Sequence, residues 1–245
     1  MSGGWKMLKT IGILGGMGPA ATVDLMNRII SMTDAECDQN HIPMLVDNNT
    51  RIPDRTEAIL HDGASPVPEM LASAKRLEAA GADFLVIPCH TAHYFIPQIK
   101  DKIGIPILDM PTETAKLLKI KGVNRASVLA TDGTVQSDLY GAALERMGIQ
   151  TVYPDEEQQK IVMSLVYDFI KKGITDASRM PRNEIMGIIG DLSGKGAEAL
   201  LLACTELPIA FSMMGLRSEA FVDPTIVLAK SAIRMAGAHR RKEYK

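Results

Sequence analysis

The sequence predicts an α/β protein with two pseudo-symmetric lobes, each a parallel sheet flanked by helices, and an active-site cleft between them. Three observations predict this fold class. Short apolar runs alternate with helical patterns of about 10–15 residues, which is typical of parallel sheets covered on both faces. Two such runs, residues 82–89 and 197–204, each follow a glycine and end in a cysteine. The second half of the chain also repeats the spacing of the first half.

The predicted elements of the first half are strands that each lead into a helix. Pro19 suits the first turn of the first helix, because proline at that position loses no helical hydrogen bond. Residues 48–55 are polar and predict a loop. The predicted strands are residues 10–16, 43–47, 82–89 and 105–109, and the predicted helices are residues 19–33, residues 67–80 and a segment after His93.

The second half has the same plan. The lysines before Gly173 suit the last turn of a helix, where the helix dipole favours positive charge. The predicted strands are residues 126–131, 151–153, 197–204 and 221–223, and the predicted helices are one after residues 132–135 and those over 158–172, 183–193 and 225–236.

An offset of 115 residues aligns the two halves. It places residues 11–16 on residues 126–131, and it matches Gly18 with Gly133, Leu77 with Leu192, Gly81 with Gly196, Asp83 with Glu198 and Cys89 with Cys204. One residue off that offset, Asp109 matches Asp223. Agreement of strand starts, glycines, acids and cysteines indicates an internal duplication. We therefore expect an N-terminal lobe of residues 7–110, completed by the helix 225–238, and a C-terminal lobe of residues 111–224.

Composition limits the functions to consider. With 245 residues and 46% hydrophobic content, the chain can bury a core in one large domain or in two lobes of about 100 residues. A net charge of −2 argues against nucleic-acid binding, and the basic residues 239–242 fit a solvated helix end. No apolar stretch reaches the roughly 18 residues that span a bilayer, so no membrane association is expected.

The cysteine count points to a reduced protein. Three cysteines without close spacing argue against a disulfide framework or a zinc site, and we expect a cytoplasmic location. Residues 1–6 lack the apolar stretch of a signal peptide and are expected to lie outside the fold. Cys37 has no counterpart at the 115-residue offset and is expected to have no catalytic role.

The paired cysteines suggest a reaction. Ligands of open parallel sheets bind outside the carboxyl ends of the strands, so Cys89 and Cys204 should form opposite walls of one cleft. A racemase needs this arrangement, because one thiolate removes the Cα proton and a thiol on the other side returns a proton. Helices that begin after each cysteine would favour the thiolate and could hold a substrate carboxylate.

Several motifs together resemble the aspartate racemase family, the cofactor-independent branch of the aspartate/glutamate racemase superfamily. The motifs are Ile-Gly-Ile-Leu-Gly-Gly-Met-Gly-Pro at 11–19, Asn-Asn at 48–49, Ile-Pro-Asp-Arg-Thr at 52–56, Pro-Cys-His-Thr-Ala-His at 88–93, Leu-Ala-Thr at 129–131 and Ala-Cys-Thr-Glu at 203–206. The resemblance implies racemisation of acidic amino acids, most readily aspartate, without pyridoxal phosphate or metal. It also implies a homodimer that acts on a small amino-acid substrate.

The resemblance also implies roles for individual residues. Cys89 and Cys204 are the two acid/base thiols. Arg55 clamps the side-chain carboxylate of the substrate, since a guanidinium binds a carboxylate through two bonds. Glu206 either caps a helix or meets the substrate ammonium. The remaining substrate-binding residues are Lys171 as a second basic group, Thr91, Thr131 and Thr205 at the α-carboxylate, and Asn49, His90 and Met17 around the pocket.

Two residues depart from the family pattern. His90 stands where the family usually has asparagine, and Arg51 adds a cation four residues before Arg55. Both leave the exact substrate open, so a glutamate racemase, a racemase of broader range and a maleate isomerase-like enzyme remain alternatives. A dinucleotide-binding protein is disfavoured, because the glycines do not follow the Gly-x-Gly-x-x-Gly spacing. A non-catalytic protein that binds a small ligand is the alternative from a different class.

Overall fold

The computed structural model describes residues 7–174 and 176–244. It confirms the predicted fold class, since parallel strands form two separate sheets with helices around them. The first sheet has the order β2-β1-β3, with β1 (Ile11–Gly15), β2 (Met44–Asn48) and β3 (Phe84–Val86). The second has the order β5-β4-β6-β7, with β4 (Arg125–Ala130), β5 (Gln150–Val152), β6 (Ala199–Ala203) and β7 (Phe221–Val222).

Helices connect these strands and cover both sheets. The α-helices of the described residues are α1 (Pro19–Met32), α2 (Arg55–Leu60), α3 (Val67–Ala79), α4 (Ile96–Ile99), α5 (Met110–Ile120), α6 (Asp132–Gln136), α7 (Leu139–Glu145), α8 (Glu156–Ser164), α9 (Arg182–Gly194), α10 (Glu206–Met213) and α11 (Pro224–Met235). A π-helix covers Leu165–Ile170, and 3₁₀ turns cover Asp38–Asn40, Thr91–Phe95, Lys100–Lys102, Ala177–Arg179 and Lys242–Tyr244. None of these helices is both long and apolar enough to cross a bilayer.

The strand register reproduces the 115-residue offset. Ile11 pairs with Phe84 in the first sheet, and Ala126 pairs with Ala199 in the second, which are the same two positions after the shift. Because a one-residue slip would turn every side chain to the other face of a strand, this match places equivalent side chains on equivalent faces. The two cysteines consequently leave their sheets in the same direction.

The strand predicted over residues 105–109 is shorter than expected. It is a single bridge between Leu85 and Ile107, although the Leu85 amide still donates to the Pro106 carbonyl at 2.8 Å. The Leu200 amide donates to the Ala220 carbonyl at the same distance in the second sheet. The fourth position of the first sheet is therefore shorter than β7, which pairs with β6 at two residues.

Other boundaries also differ from the sequence expectations. The strand that leads to Cys89 ends at Val86, because Pro88 cannot continue the ladder. The helix expected over 158–172 begins at Glu156 and becomes a π-helix at Leu165. The loop expected over 48–55 ends in α2, whose N-cap Asp54 accepts hydrogen bonds from two backbone amides at 2.8 and 3.1 Å.

The last helix of each half packs across the boundary between the lobes. α5 follows the first sheet but packs against α7, while α11 follows the second sheet and packs against α1. α5 and α11 also contact each other, and the buried carboxylate of Glu113 accepts hydrogen bonds from Ser231 and Arg234, both at 2.7 Å. The contacts that α5 and α11 make across this boundary hold the two lobes together.

Candidate active site

A narrow cavity of about 20 Å³ lies where the strand ends of the two sheets meet. All the predicted site residues except Asn49 line it: Met17, Arg55, Cys89, His90, Thr91, Thr131, Lys171, Cys204, Thr205 and Glu206. A larger cavity of about 330 Å³ lies beside β6 and β7, but it contains none of these residues. The small cavity is the candidate active site because it brings both cysteines together with the charged groups.

Arg55 places a positive charge beside Cys89. Its guanidinium donates to the Pro53 carbonyl at 2.9 Å and to the Met17 carbonyl at 3.4 Å, which fixes its position at the start of α2. Burial opposes its charge, but Cys89 and Asp54 outweigh this and raise the pKa of Arg55 above its usual value. The Arg55 Nε atom is buried without a hydrogen-bond partner among the described residues.

Cys204 is held as a thiol. Its Sγ donates to the Oε2 atom of Glu206 at 3.0 Å, and the Thr205 hydroxyl donates to the same oxygen at 2.8 Å. Burial raises the pKa of Cys204 well above its usual value, and the negative charge of Glu206 raises it further. The two cysteines therefore have opposite surroundings, since Cys89 lies beside a cation and Cys204 beside a carboxylate.

Lys171 supplies a second cation at the edge of the cavity. Its Nζ atom lies 3.8 Å from the centre of the Tyr167 ring. Desolvation opposes its charge, while Tyr167, Glu206 and Cys204 raise the pKa of Lys171 above its usual value. Both side chains come from the turn formed by the π-helix, a geometry often found at functional sites.

Three threonine hydroxyls meet across the lobes. The Thr91 Oγ1 atom lies 3.1 Å from Thr131 Oγ1 and 2.9 Å from Thr134 Oγ1. Thr91 follows Cys89 in the first lobe, while Thr131 and Thr134 follow β4 in the second. The cluster offers hydroxyl groups to a ligand carboxylate where the lobes touch.

His90 is buried in the same wall, with 3% of its surface exposed. Its Nδ1 atom lies 2.7 Å from the Tyr140 hydroxyl of the second lobe. Burial and the neighbouring His93 lower the pKa of His90 to about 3, so the imidazole is neutral near neutral pH. His93 does not line the cavity, and its Nδ1 atom donates to the Cys89 carbonyl at 2.8 Å, which supports the turn after the cysteine.

Asn49 does not reach the cavity. Its amide nitrogen donates to Glu69 at 2.9 Å and to Ser73 at 3.1 Å, both on α3. Its backbone lies against Gly16, where an added Cβ would come within 2.3 Å of the Asn49 carbonyl. Gly16 also has a φ of +95°, which suits glycine. Asn49 thus supports the glycine turn that carries Met17 to the site.

Three lining residues were not predicted from the sequence: Asp54, Thr56 and Tyr167. Asp54 and Thr56 flank Arg55, and the Asp-Arg-Thr motif is the signal that could have identified them. Tyr167 precedes Lys171 by one helical turn. This spacing is the signal that could have placed Tyr167 near Lys171. Among residues 7–174 and 176–244, no group of three or more His, Cys, Asp or Glu side chains is arranged to hold a metal ion.

The sequence is similar to those of known proteins. The sequence profile of the Asp/Glu/Hydantoin racemase family matches residues 14–232. The chain is 26% identical over 229 residues to the broad specificity amino-acid racemase RacX of Bacillus subtilis (strain 168), covering 91% of this chain and 96% of that protein.

Solved structures show the same fold. The aspartate racemase of Picrophilus torridus is 36% identical with a TM-score of 0.81, covering 96% of this chain and 97% of that one. Glutamate racemase from Francisella tularensis in complex with D-glutamate is 19% identical with a TM-score of 0.67, covering 94% of this chain and 81% of that one. At 19% identity, the similarity to glutamate racemase supports the fold alone.

Proposed function

The chain belongs to the Asp/Glu/hydantoin racemase family and is an amino-acid racemase, and from this premise we propose that it interconverts L- and D-aspartate by a two-cysteine mechanism. The observation that carries the proposal is the joint presence of Cys89, Cys204 and two cations in one cavity between the lobes. The likeness to an aspartate racemase over nearly the whole chain supports the substrate.

The surroundings of the two cysteines suggest a different role for each. Arg55 places a positive charge beside Cys89, and we assign Cys89 the role of the base. Cys204 begins as the acid, because its proton is held on sulfur by Glu206 at 3.0 Å. Cys89 takes the Cα proton and becomes a thiol, while Cys204 gives its proton to the opposite face of Cα and becomes a thiolate. The reverse reaction exchanges these roles.

The carbanion-like transition state needs stabilisation from fixed donors. The hydroxyl groups of Thr91, Thr131 and Thr205 lie in the cavity wall and can hold the α-carboxylate, on which negative charge grows. The backbone amides at the start of α10 add to this. These donors are in place before the proton moves, so little reorganisation is needed during the reaction.

Two cations in the cavity favour a substrate with two carboxylates. The buried Nε–H group of Arg55 has no hydrogen-bond partner among the described residues, which leaves this donor of the guanidinium for a side-chain carboxylate. Lys171 provides a point charge on the other lobe. Glu206 then faces the ammonium group as its counter-charge. This arrangement suits aspartate better than a neutral amino acid.

The cavity is too small for an amino acid as it stands. About 20 Å³ admits roughly one water molecule. Substrate entry therefore requires the lobes or the Tyr167 turn to move apart, and closure then excludes water from the carbanion. We further propose that residues 7–110 with the last helix form one moving body and that residues 111–224 form the other. We also propose that the enzyme is a cytoplasmic homodimer.

Hydrogen exchange tests the reaction directly. The protein is incubated in D₂O without added cofactor, with each enantiomer of aspartate, glutamate and several neutral amino acids. We expect deuterium at Cα of aspartate together with loss of optical rotation. Cys89→Ser and Cys204→Ser should abolish racemisation, whereas the matched control Cys37→Ser at an exposed position should not change it. Full racemisation by both cleft variants would overturn the mechanism.

The same panel tests a second candidate. The Bacillus subtilis relative is described as a racemase of broad specificity, and His90 gives this pocket a different wall from the asparagine of the family pattern. Exchange at similar rates in neutral and acidic amino acids would favour a broad range and reject the preference for aspartate.

A further inference from the structure

His90 has one bonded and one unbonded ring nitrogen. The Nδ1 atom contacts the Tyr140 hydroxyl at 2.7 Å, whereas the Nε2 atom is buried with no hydrogen-bond partner among the described residues. A buried polar atom without a partner destabilises the folded protein. Because His90 lines the cavity, a bound ligand can supply the missing partner.

The neighbours of Tyr140 favour one imidazole tautomer. Thr114 is the other hydroxyl near the Tyr140 oxygen, and the Thr114 hydroxyl donates its own proton to the Met110 carbonyl at 2.8 Å. The Thr114 oxygen is thus an acceptor toward which Tyr140 can turn its proton, and in that orientation the Tyr140 oxygen accepts from Nδ1–H of His90. With the proton on Nδ1, the Nε2 atom of the neutral ring carries a free lone pair.

We propose that the Nε2 atom of His90 accepts a hydrogen bond from the α-ammonium group of the substrate, and that Tyr140 is a positioning residue that holds His90 in this tautomer. This inference rests on the proposed function, because an amino acid supplies the ammonium group. In this inference His90 contacts the amino group of the substrate, whereas Arg55, Lys171 and the threonines contact its carboxylates.

The charges around the cavity favour an ammonium partner over a carboxylate. An acceptor lone pair repels a carboxylate, which itself only accepts hydrogen bonds. Two carboxylates line the cavity with His90: Asp54, which caps α2, and Glu206. Glu206 and His90 together provide one charged and one neutral acceptor for the ammonium donors. A substrate that places its ammonium group here can present its side-chain carboxylate to Arg55 and its α-carboxylate to the threonine hydroxyls.

The tautomer can be measured in the free protein. Long-range ¹H–¹⁵N correlation spectra distinguish a protonated from an unprotonated ring nitrogen, and His90→Asn identifies the His90 signals among those of the other histidines. We expect Nδ1 protonated and Nε2 unprotonated from about pH 5 to 8. Tyr140→Phe should abolish this preference, whereas Tyr94→Phe, at an exposed tyrosine, should preserve it. A protonated Nε2 in the wild-type protein would overturn the inference whatever the substrate is.

Binding measurements test the ammonium contact itself. Succinate has both carboxylates of aspartate and lacks its ammonium group. His90→Leu should weaken aspartate binding about tenfold or more, as expected for a charge-assisted hydrogen bond, and should change succinate binding less than about twofold. His90→Asn, whose side-chain oxygen is also an acceptor, should restore most of the aspartate affinity.

Two results separate failure of this inference from failure of the aspartate assignment. Equal weakening of aspartate and succinate by His90→Leu would refute the ammonium contact while leaving aspartate as the substrate. If the exchange panel identifies another amino acid, aspartate is the wrong substrate, and the same comparison with that amino acid and its deaminated analogue decides the role of His90.

Discussion

Replacing Arg55 with lysine tests the contribution of the planar guanidinium fork while keeping a positive charge at this position. Lysine keeps a cation near Cys89 but cannot donate to Pro53 and Met17 while also presenting two parallel donors to a carboxylate. Loss of one charge-assisted hydrogen bond costs about 1.5–3 kcal/mol. This corresponds to a decrease of about 10- to 150-fold in kcat/KM.

The assay is racemisation of L-aspartate followed by circular dichroism. Arg55→Ala also removes the charge beside Cys89, so we expect it to reduce kcat/KM further, by at least about 100-fold. Arg51→Lys is the matched control, since Arg51 is exposed and does not line the cavity; it should remain within about twofold of wild type. Thermal unfolding of each variant checks that the fold is intact. If folded Arg55→Lys and Arg51→Lys proteins have the same kcat/KM, the proposed carboxylate clamp is refuted.

Three further predictions concern the cleft and its support. Lys171→Ala should lower kcat/KM for aspartate about tenfold, while Lys172→Ala, which removes an exposed lysine outside the cavity, should leave it within about twofold; equal effects would argue against a substrate contact. Cys204 acts as an acid only while it is a thiol, so activity is lost as pH rises through its pKa, which Glu206 raises. Glu206→Gln should therefore shift the alkaline limb of the kcat/KM profile to lower pH, and an unchanged limb would contradict this assignment. Gly16→Ala should lower the free energy of unfolding in urea by at least about 2 kcal/mol, because the residue has a φ of +95° and no space for a Cβ; a stability equal to wild type would refute the steric argument.

The repeated spacing of the two halves was sufficient to predict the fold class. Strand starts, glycines and cysteines are local features, and the short apolar runs that follow the glycines favour buried strands. The 115-residue offset therefore carries over to the pairing register, as the matching partners of Ile11 and Ala126 show. Cys89 and Cys204, which follow equivalent strands of the two sheets, line the same cavity.

The details of the site depended on contacts between distant segments. His90 and Tyr140 are 50 residues apart and belong to different lobes, so no spacing rule could pair them. Tyr167 enters the cavity from a π-helix, and the sequence pattern of residues 158–172 predicted an ordinary helix. Asn49 belongs to a motif near the site, but its amide hydrogen-bonds to α3 and turns away from the cavity.

The sequence by itself determined the two-lobed α/β fold, the cleft, the paired thiols and the chemical type of most groups around them. These follow from hydrophobic periodicity and residue chemistry, which are properties of short segments. Only the tertiary structure decided that Cys89 lies beside a cation and Cys204 beside a carboxylate, and that the second nitrogen of His90 is free. Protonation and hydrogen-bond direction depend on burial and on neighbours within a few ångströms, and those neighbours come together only when the chain folds.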